Sequence, residues 1–163
     1  MARNIIDLPT LGDDGKLYRD TAVDMVESLI PNPWESCHAP DLLELGNGDL
    51  LCCWFAGSRE GNADISIAVA RLPADAEQWE QPVIVSDDPT RSEQNPSLFQ
   101  NPNGDIWLMY TAQAAKKPDD NSDDSLQGTA EIRRKISRDG GRTWGPTEAV
   151  SVSYTHLTLP TKL

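Results

Sequence analysis

Two stretches decide the fold: Ala39-Pro-Asp-Leu-Leu-Glu-Leu-Gly-Asn-Gly-Asp-Leu-Leu-Cys-Cys-Trp54 and Asn95-Pro-Ser-Leu-Phe-Gln-Asn-Pro-Asn-Gly-Asp-Ile-Trp-Leu-Met-Tyr110. They align without a gap at an offset of 56 residues. Pro40 falls on Pro96, Leu42 on Leu98, and Asn47-Gly48-Asp49 on Asn103-Gly104-Asp105. In each copy an apolar run leads into Asn-Gly-Asp and a second apolar run, the strongest short-range signal of a β-hairpin because both turn residues tolerate positive φ. Working outward, each copy supplies two more strands. The first continues through Ile65-Ser-Ile-Ala-Val-Ala70, a turn ending in Trp79, and Pro82-Val-Ile-Val-Ser86. The second continues through residues 129–136, a turn ending in Trp144, and residues 147–150. Four antiparallel strands per repeat predict β-propeller blades, here about residues 36–86 and 93–150. A β-sandwich is the alternative, but it leaves the ungapped match unexplained.

Composition narrows the function. The chain has 163 residues, with 14 Lys and Arg against 26 Asp and Glu, and a net charge of −12. Nucleic acid is a poor partner for such a surface, because phosphate binding needs a basic face. No apolar run approaches the ~20 residues of a membrane helix. The start, residues 1–10, has no leader-like apolar core, so a cytoplasmic location is expected. Three Cys do not make a disulfide framework, and no His/Cys spacing resembles a zinc site, so no metal and no cofactor are expected. The acidic run with Asp119, Asp120, Asp123 and Asp124 reads as a solvated loop.

The ends are read separately. Residues 1–18 give little signal and are taken as an extension. Residues 19–30 alternate like a strand and are predicted to be the N-terminal strand that closes a last blade, although Val23, Val26 and Ile30 also fit a helical period. Residues 151–163 contain Val-Ser-Tyr-Thr-His-Leu, the in-frame translation of a transposase-type sequencing adapter. They are expected to be an artefact tail, with the natural chain running on past Val150. A two-blade piece leaves an open sheet edge and an uncovered blade face, so as written it is expected to aggregate and to be inactive.

Ser137-Arg-Asp-Gly-Gly-Arg-Thr-Trp144 forms a self-contained turn on chemical grounds. The Asp139 carboxylate can accept the turn's own N–H groups, Gly141 eases the reversal, and Trp144 can anchor the turn to the sheet. The pattern Ser-x-Asp-x-Gly-x-Thr-Trp resembles the Asp-box, or BNR repeat, of the sialidase superfamily; Asp75 and Trp79 make a degenerate copy. Cys37-His-Ala-Pro and Trp54-Phe-Ala-Gly-Ser-Arg-Glu-Gly61 are similar to the opening blade of a sialidase-like subgroup. The resemblance implies an all-β, six-bladed propeller, of which about two blades are present.

Strand direction places residues 36–39, 57–64, 87–95 and 113–128 at one end, where a pocket is expected. The resemblance implies that Asp64 is the acid/base, with Arg59 binding substrate oxygens five residues earlier. The family's first carboxylate-binding Arg is replaced by His38, which is carried as a second catalytic candidate. Glu60, Arg91 and Asn95 are further binding candidates, with Glu93 beside them. Ser137, Asp139, Gly141 and Trp144 are assigned to structure. The implied activity is exo-glycosidic cleavage of a terminal, acidic sugar from a glycan or oligosaccharide. A uronate lyase with His38 as base, or a glycan-binding propeller without activity, are the other readings. The family's nucleophilic Tyr and its remaining arginines fall outside these two blades.

Overall fold

A computed structural model describes residues 6–7, 12–20, 22–117, 120 and 126–151. The acidic positions Asp119, Asp123 and Asp124 and the tail 152–163 lie outside the described residues, so those expectations find no structural counterpart.

Two four-stranded antiparallel sheets dominate. Blade 1 is β4 (Ser36–Glu44), β5 (Leu50–Gly57), β6 (Ser66–Leu72) and β7 (Val83–Ile84), in the order β4-β5-β6-β7. Blade 2 is β8 (Arg91–Gln100), β9 (Ile106–Ala114), β10 (Glu131–Ser137) and β11 (Glu148–Ser151), in the order β11-β10-β9-β8. The predicted all-β, blade-like architecture is therefore present. Both Asn-Gly hairpins form, but in a different geometry from the one read in the sequence. Gly48 N–H bonds Leu45 O at 2.8 Å and Leu45 N–H bonds Asp49 O at 2.8 Å, closing a three-residue loop. Asn101 to Asp105 repeats this arrangement. Only Gly48 and Gly104 take positive φ, at 83° and 91°, which fits a type I turn closed by a glycine bulge.

The core follows strand alternation. Leu51, Cys53 and Phe55 face blade 2 and meet Leu98, Ile106, Leu108, Tyr110 and Ala112 across the interface. Fully burying one such apolar side chain contributes about 1.5–3 kcal/mol, so this interface is a principal source of stability. A polar clamp crosses it. One Asp41 carboxylate oxygen accepts from Leu98 N–H at 2.7 Å and from the Ser97 hydroxyl at 3.1 Å. The alternate residues Trp54, Ala56, Ala68, Ala70 and Leu72 face the other way, against Leu17, Trp34 and Trp79.

The N-terminal expectation needs correction. Residues 19–30 form neither one strand nor a helix. A three-stranded sheet holds β1 (Ile6–Asp7), β2 (Tyr18–Asp20) and β3 (Met25–Glu27), with β2 and β3 antiparallel. Local carboxylates break the alternation. Asp20 accepts Ala22 N–H at 2.8 Å, Asp24 takes φ 49°, and Arg19 pairs with Asp24 at 3.1 Å. Leu17, Ile30 and Trp34, which flank these short strands, pack on the outer face of blade 1, so that face is partly covered. On blade 2 the corresponding face carries Phe99 and Trp107 in ring contact at 5.2 Å, with Phe99 exposed. No helix among the described residues is long and apolar enough to cross a membrane.

Candidate functional site

Both inner-edge strands, β4 and β8, are interrupted at the same place in the repeat. Ala39 (φ 53°) and Asn95 (φ 51°) are left-handed, each just before the repeated proline, and each produces a register shift. A non-glycine residue in this region costs about 1–2 kcal/mol. The shift puts His38 opposite Phe55, with ring centroids 5.7 Å apart, at the end where β5 runs into the loop 58–64. His38 is exposed, as are Arg59, Glu60 and Asp64.

The loop is closely built. A Cβ at Gly57 would lie 2.7 Å from Asp64 O, so glycine is needed for the chain to fold back. Asp64 closes the loop: its two oxygens accept from Ser58 N–H at 3.0 Å and from the Ser58 hydroxyl at 2.9 Å. Asn62 adds a bond to the same hydroxyl at 3.1 Å. The loop is pinned to blade 2 by Lys116 N–H donating to Gly61 O at 2.8 Å. Nearby, Glu93 N–H bonds Ile65 O at 2.9 Å and Ala115 N–H bonds Thr90 O at 3.3 Å. The loops expected to gather at one end are therefore interlocked there.

The other candidates have identifiable work. Arg91 donates to Ala112 O at 2.8 Å and Thr129 O at 3.3 Å, and pairs with Glu131 at 2.7 Å. It ties the short 3-10 turn Gln127–Thr129 to the blade. Asn95 is exposed, with its amide 3.3 Å from the Thr111 hydroxyl.

A charged network lies just beneath this end, and three of its four members, Asp88, Glu131 and Arg133, are not among the candidates named from the sequence. Arg133 pairs with Asp88 at 2.7 Å and Glu131 at 3.2 Å, and lies 3.5 Å from Glu93. Glu93 is fully buried. Burial pushes its carboxyl up, outweighing the Ser86 hydroxyl, the Asp88 N–H and the Arg133 charge. Asp88 is held down at about 2, first by the Thr90 hydroxyl and then by Thr90 N–H and Arg133 against the cost of burial. No signal in the sequence marks Arg133 as turned inward. It stands opposite Tyr110 in the ladder, on the side where β9 is apolar.

At the opposite end the Asp-box is formed as expected. Asp139 accepts from the Ser137 hydroxyl at 2.8 Å, Arg142 N–H at 3.0 Å, Thr143 N–H at 2.9 Å and the Thr143 hydroxyl at 2.5 Å. These bonds, led by the Thr143 hydroxyl, hold its carboxyl well below the ordinary range. Ser137 Oγ also accepts Gly141 N–H at 2.7 Å, and Trp144 packs on the core. No group of three or more His, Cys, Asp or Glu among the described residues is arranged to hold a metal.

Antiparallel four-stranded sheets stacked face to face, with inner strands broken in register and an Asp-box at the far end, define a propeller of the BNR type. The chain belongs to the BNR repeat-like domain family, whose model matches residues 48–162. Comparison with characterised proteins by sequence returns no significant match. Among solved structures, the Hadza microbial sialidase Hz136 is similar with a TM-score of 0.58 at 17% identity, over 72% of this chain and 26% of that one. A protein of unknown function from Dyadobacter fermentans is similar with a TM-score of 0.53 at 19% identity, over 69% of this chain and 35% of that one. The chain thus spans about a quarter to a third of the length of the structures it matches. At these identities the likeness is one of fold.

Proposed function

We propose that the chain is part of a glycan-processing propeller enzyme, a sialidase-like glycoside hydrolase that acts on a terminal acidic sugar at the end carrying His38 and the loop 58–64. The observation that supports this reading most is the convergence of loops. The start of the first inner strand and the Arg59–Asp64 segment share one end, and backbone bonds to blade 2 fix that segment. Asp64 serves as the acid/base. In the free protein its oxygens are occupied by Ser58, so substrate entry must exchange at least one of those bonds for the glycosidic oxygen. Arg59 supplies a charge-assisted contact to substrate oxygens. His38, exposed at the inner edge, stands where the resemblance implies a carboxylate-binding arginine, and so favours a sugar contact made by hydrogen bonding rather than by a fixed charge.

The test is hydrolysis of a fluorogenic sialoside and of fluorogenic uronides by the uninterrupted protein. Asp64→Asn is expected to lower kcat by about 10²–10⁴-fold. An unchanged rate removes Asp64 from the mechanism. Release of an unsaturated sugar, seen as new ultraviolet absorbance, replaces hydrolysis by elimination. Glycan-array binding with no turnover of any substrate leaves a binding module.

A further inference from the structure

At the end opposite His38 and Asp64, β6 sends Arg71 into the groove between the blades. The side chain is 6% exposed and pairs with the buried Asp49 carboxylate. The second Asp49 oxygen accepts Ala74 N–H at 2.8 Å. Arg71 Nη2 is buried and has no hydrogen-bond partner. Beside it lies a cavity of about 190 Å³ lined by Arg71, Glu80, Gln81, Gly141 and Arg142 among others. The Asp-box turn of blade 2 forms one wall. A Cβ on Gly140 would sit 3.4 Å from Arg71 Nη2, and one on Gly141 would sit 2.6 Å from Leu51. Arg142 is exposed, makes no ion pair among the described residues, and its charge reaches Asp49.

A buried donor without a partner is costly, and the cost is recovered when an acceptor arrives. Two arginines line this cleft, and Asp49 is the buried carboxylate that pairs with Arg71. Glu80 opposes them from the exposed rim, where water screens its charge. Planar guanidinium donors match the oxygens of sulfate, phosphate and carboxylate.

We propose that this inter-blade cleft is a binding site for a small oxyanion, taken as a sulfate or phosphate group or as the carboxylate of an acidic sugar, and held between Arg71 Nη2 and the Arg142 guanidinium. The site is separate from the end assigned to catalysis and stands or falls independently of it.

The experiment titrates the full chain with sodium sulfate and with glucuronate, against sodium chloride of matched ionic strength, by calorimetry and thermal unfolding. Saturable binding of either anion is expected, with a rise in Tm that chloride does not give. The anion that binds identifies the source. Arg142→Ala is expected to weaken that binding at least about tenfold while the ligand-free Tm stays within a few degrees. Arg71→Met is expected to abolish it; if that variant does not fold, Arg142→Ala decides alone. A response to both anions no greater than to chloride, or undiminished affinity in Arg142→Ala, overturns the proposal.

Discussion

In blade 2 the turn between β10 and β11 is held by its own carboxylate, since all four bonds accepted by Asp139 come from residues 137–143. Blade 1 closes the turn after β6 differently. Asp75, which the sequence offers as the counterpart, is exposed and makes no hydrogen bond among the described residues. The work falls to Asp49, which reaches across from the β4–β5 hairpin to Ala74 N–H and to Arg71. The carboxylate of its repeat equivalent, Asp105, meets among the described residues only Asn103 and, at 3.9 Å, the largely exposed Arg138. One blade thus builds a local turn, and its neighbour builds one that depends on a distant hairpin. A sequence motif can display the first kind and is blind to the second.

The largest expected effect tests that contrast directly. Asp49→Ala strands the buried Arg71 and is expected to cost about 3–5 kcal/mol in urea unfolding, whereas Asp105→Ala costs less than about 1 kcal/mol. Equal losses would erase the distinction between the hairpins. Next, Asp139→Ala should lower Tm clearly in calorimetry while Asp75→Ala leaves it unchanged; a matching fall for Asp75 would restore a second functioning Asp-box.

The third prediction compares the two carboxylates beside Arg133. Asp88 lies at about 2, below its ordinary 3.8, so its contribution is fully present above about pH 4 and is lost as pH falls through 2. Glu93 is shifted the opposite way. Its folded form takes up a proton more readily than the unfolded chain, so stability withheld at neutral pH is recovered as pH falls through its folded value toward 4.5. Urea titrations should therefore show Glu93→Gln more stable than the parent at pH 7, with the gap closing on acidification. Asp88→Asn should be less stable at pH 7, with its gap closing only near pH 2. Parallel profiles would refute the opposed signs. The smallest effect concerns thiols. Cys37 is exposed, while burial raises Cys52 to about 11 and Cys53 further. A thiol reagent at pH 8 should find one fast site, and Cys37→Ser should remove it.

Much of the fold was legible because it is written locally. The Asn-Gly turns and the Asp-box concern neighbours along the chain, the offset of 56 residues repeats the hairpin letter by letter, and all three correspond to structure. The N-terminal segment misled because strict alternation reads straight through a turn; the Asp20 carboxylate that makes the turn is one more polar residue in the pattern. Of the candidate site, topology placed His38 and the loop 58–64 at one end. The Asp64–Ser58 closure lay hidden in a stretch whose letters spell only a polar loop. The Arg133 network was beyond reach for another reason. Its members come from residues 88, 93, 131 and 133, and only the register of β9 against β10 shows that Arg133 turns inward.

The left-handed residues Ala39 and Asn95 have one more effect. Three residues of the inner strand span two of its partner, so His38 and Asp41 come out on one side, as do Gln94 and Ser97. Odd and even exchange meaning partway along each strand. A single unbroken ribbon can thus present oily residues to its neighbour in one half and water-loving ones in the other. Deleting Ala39 alone would restore uniform parity by matching two residues to two, with the His38 imidazole still on the side of Asp41 and only the left-handed kink removed.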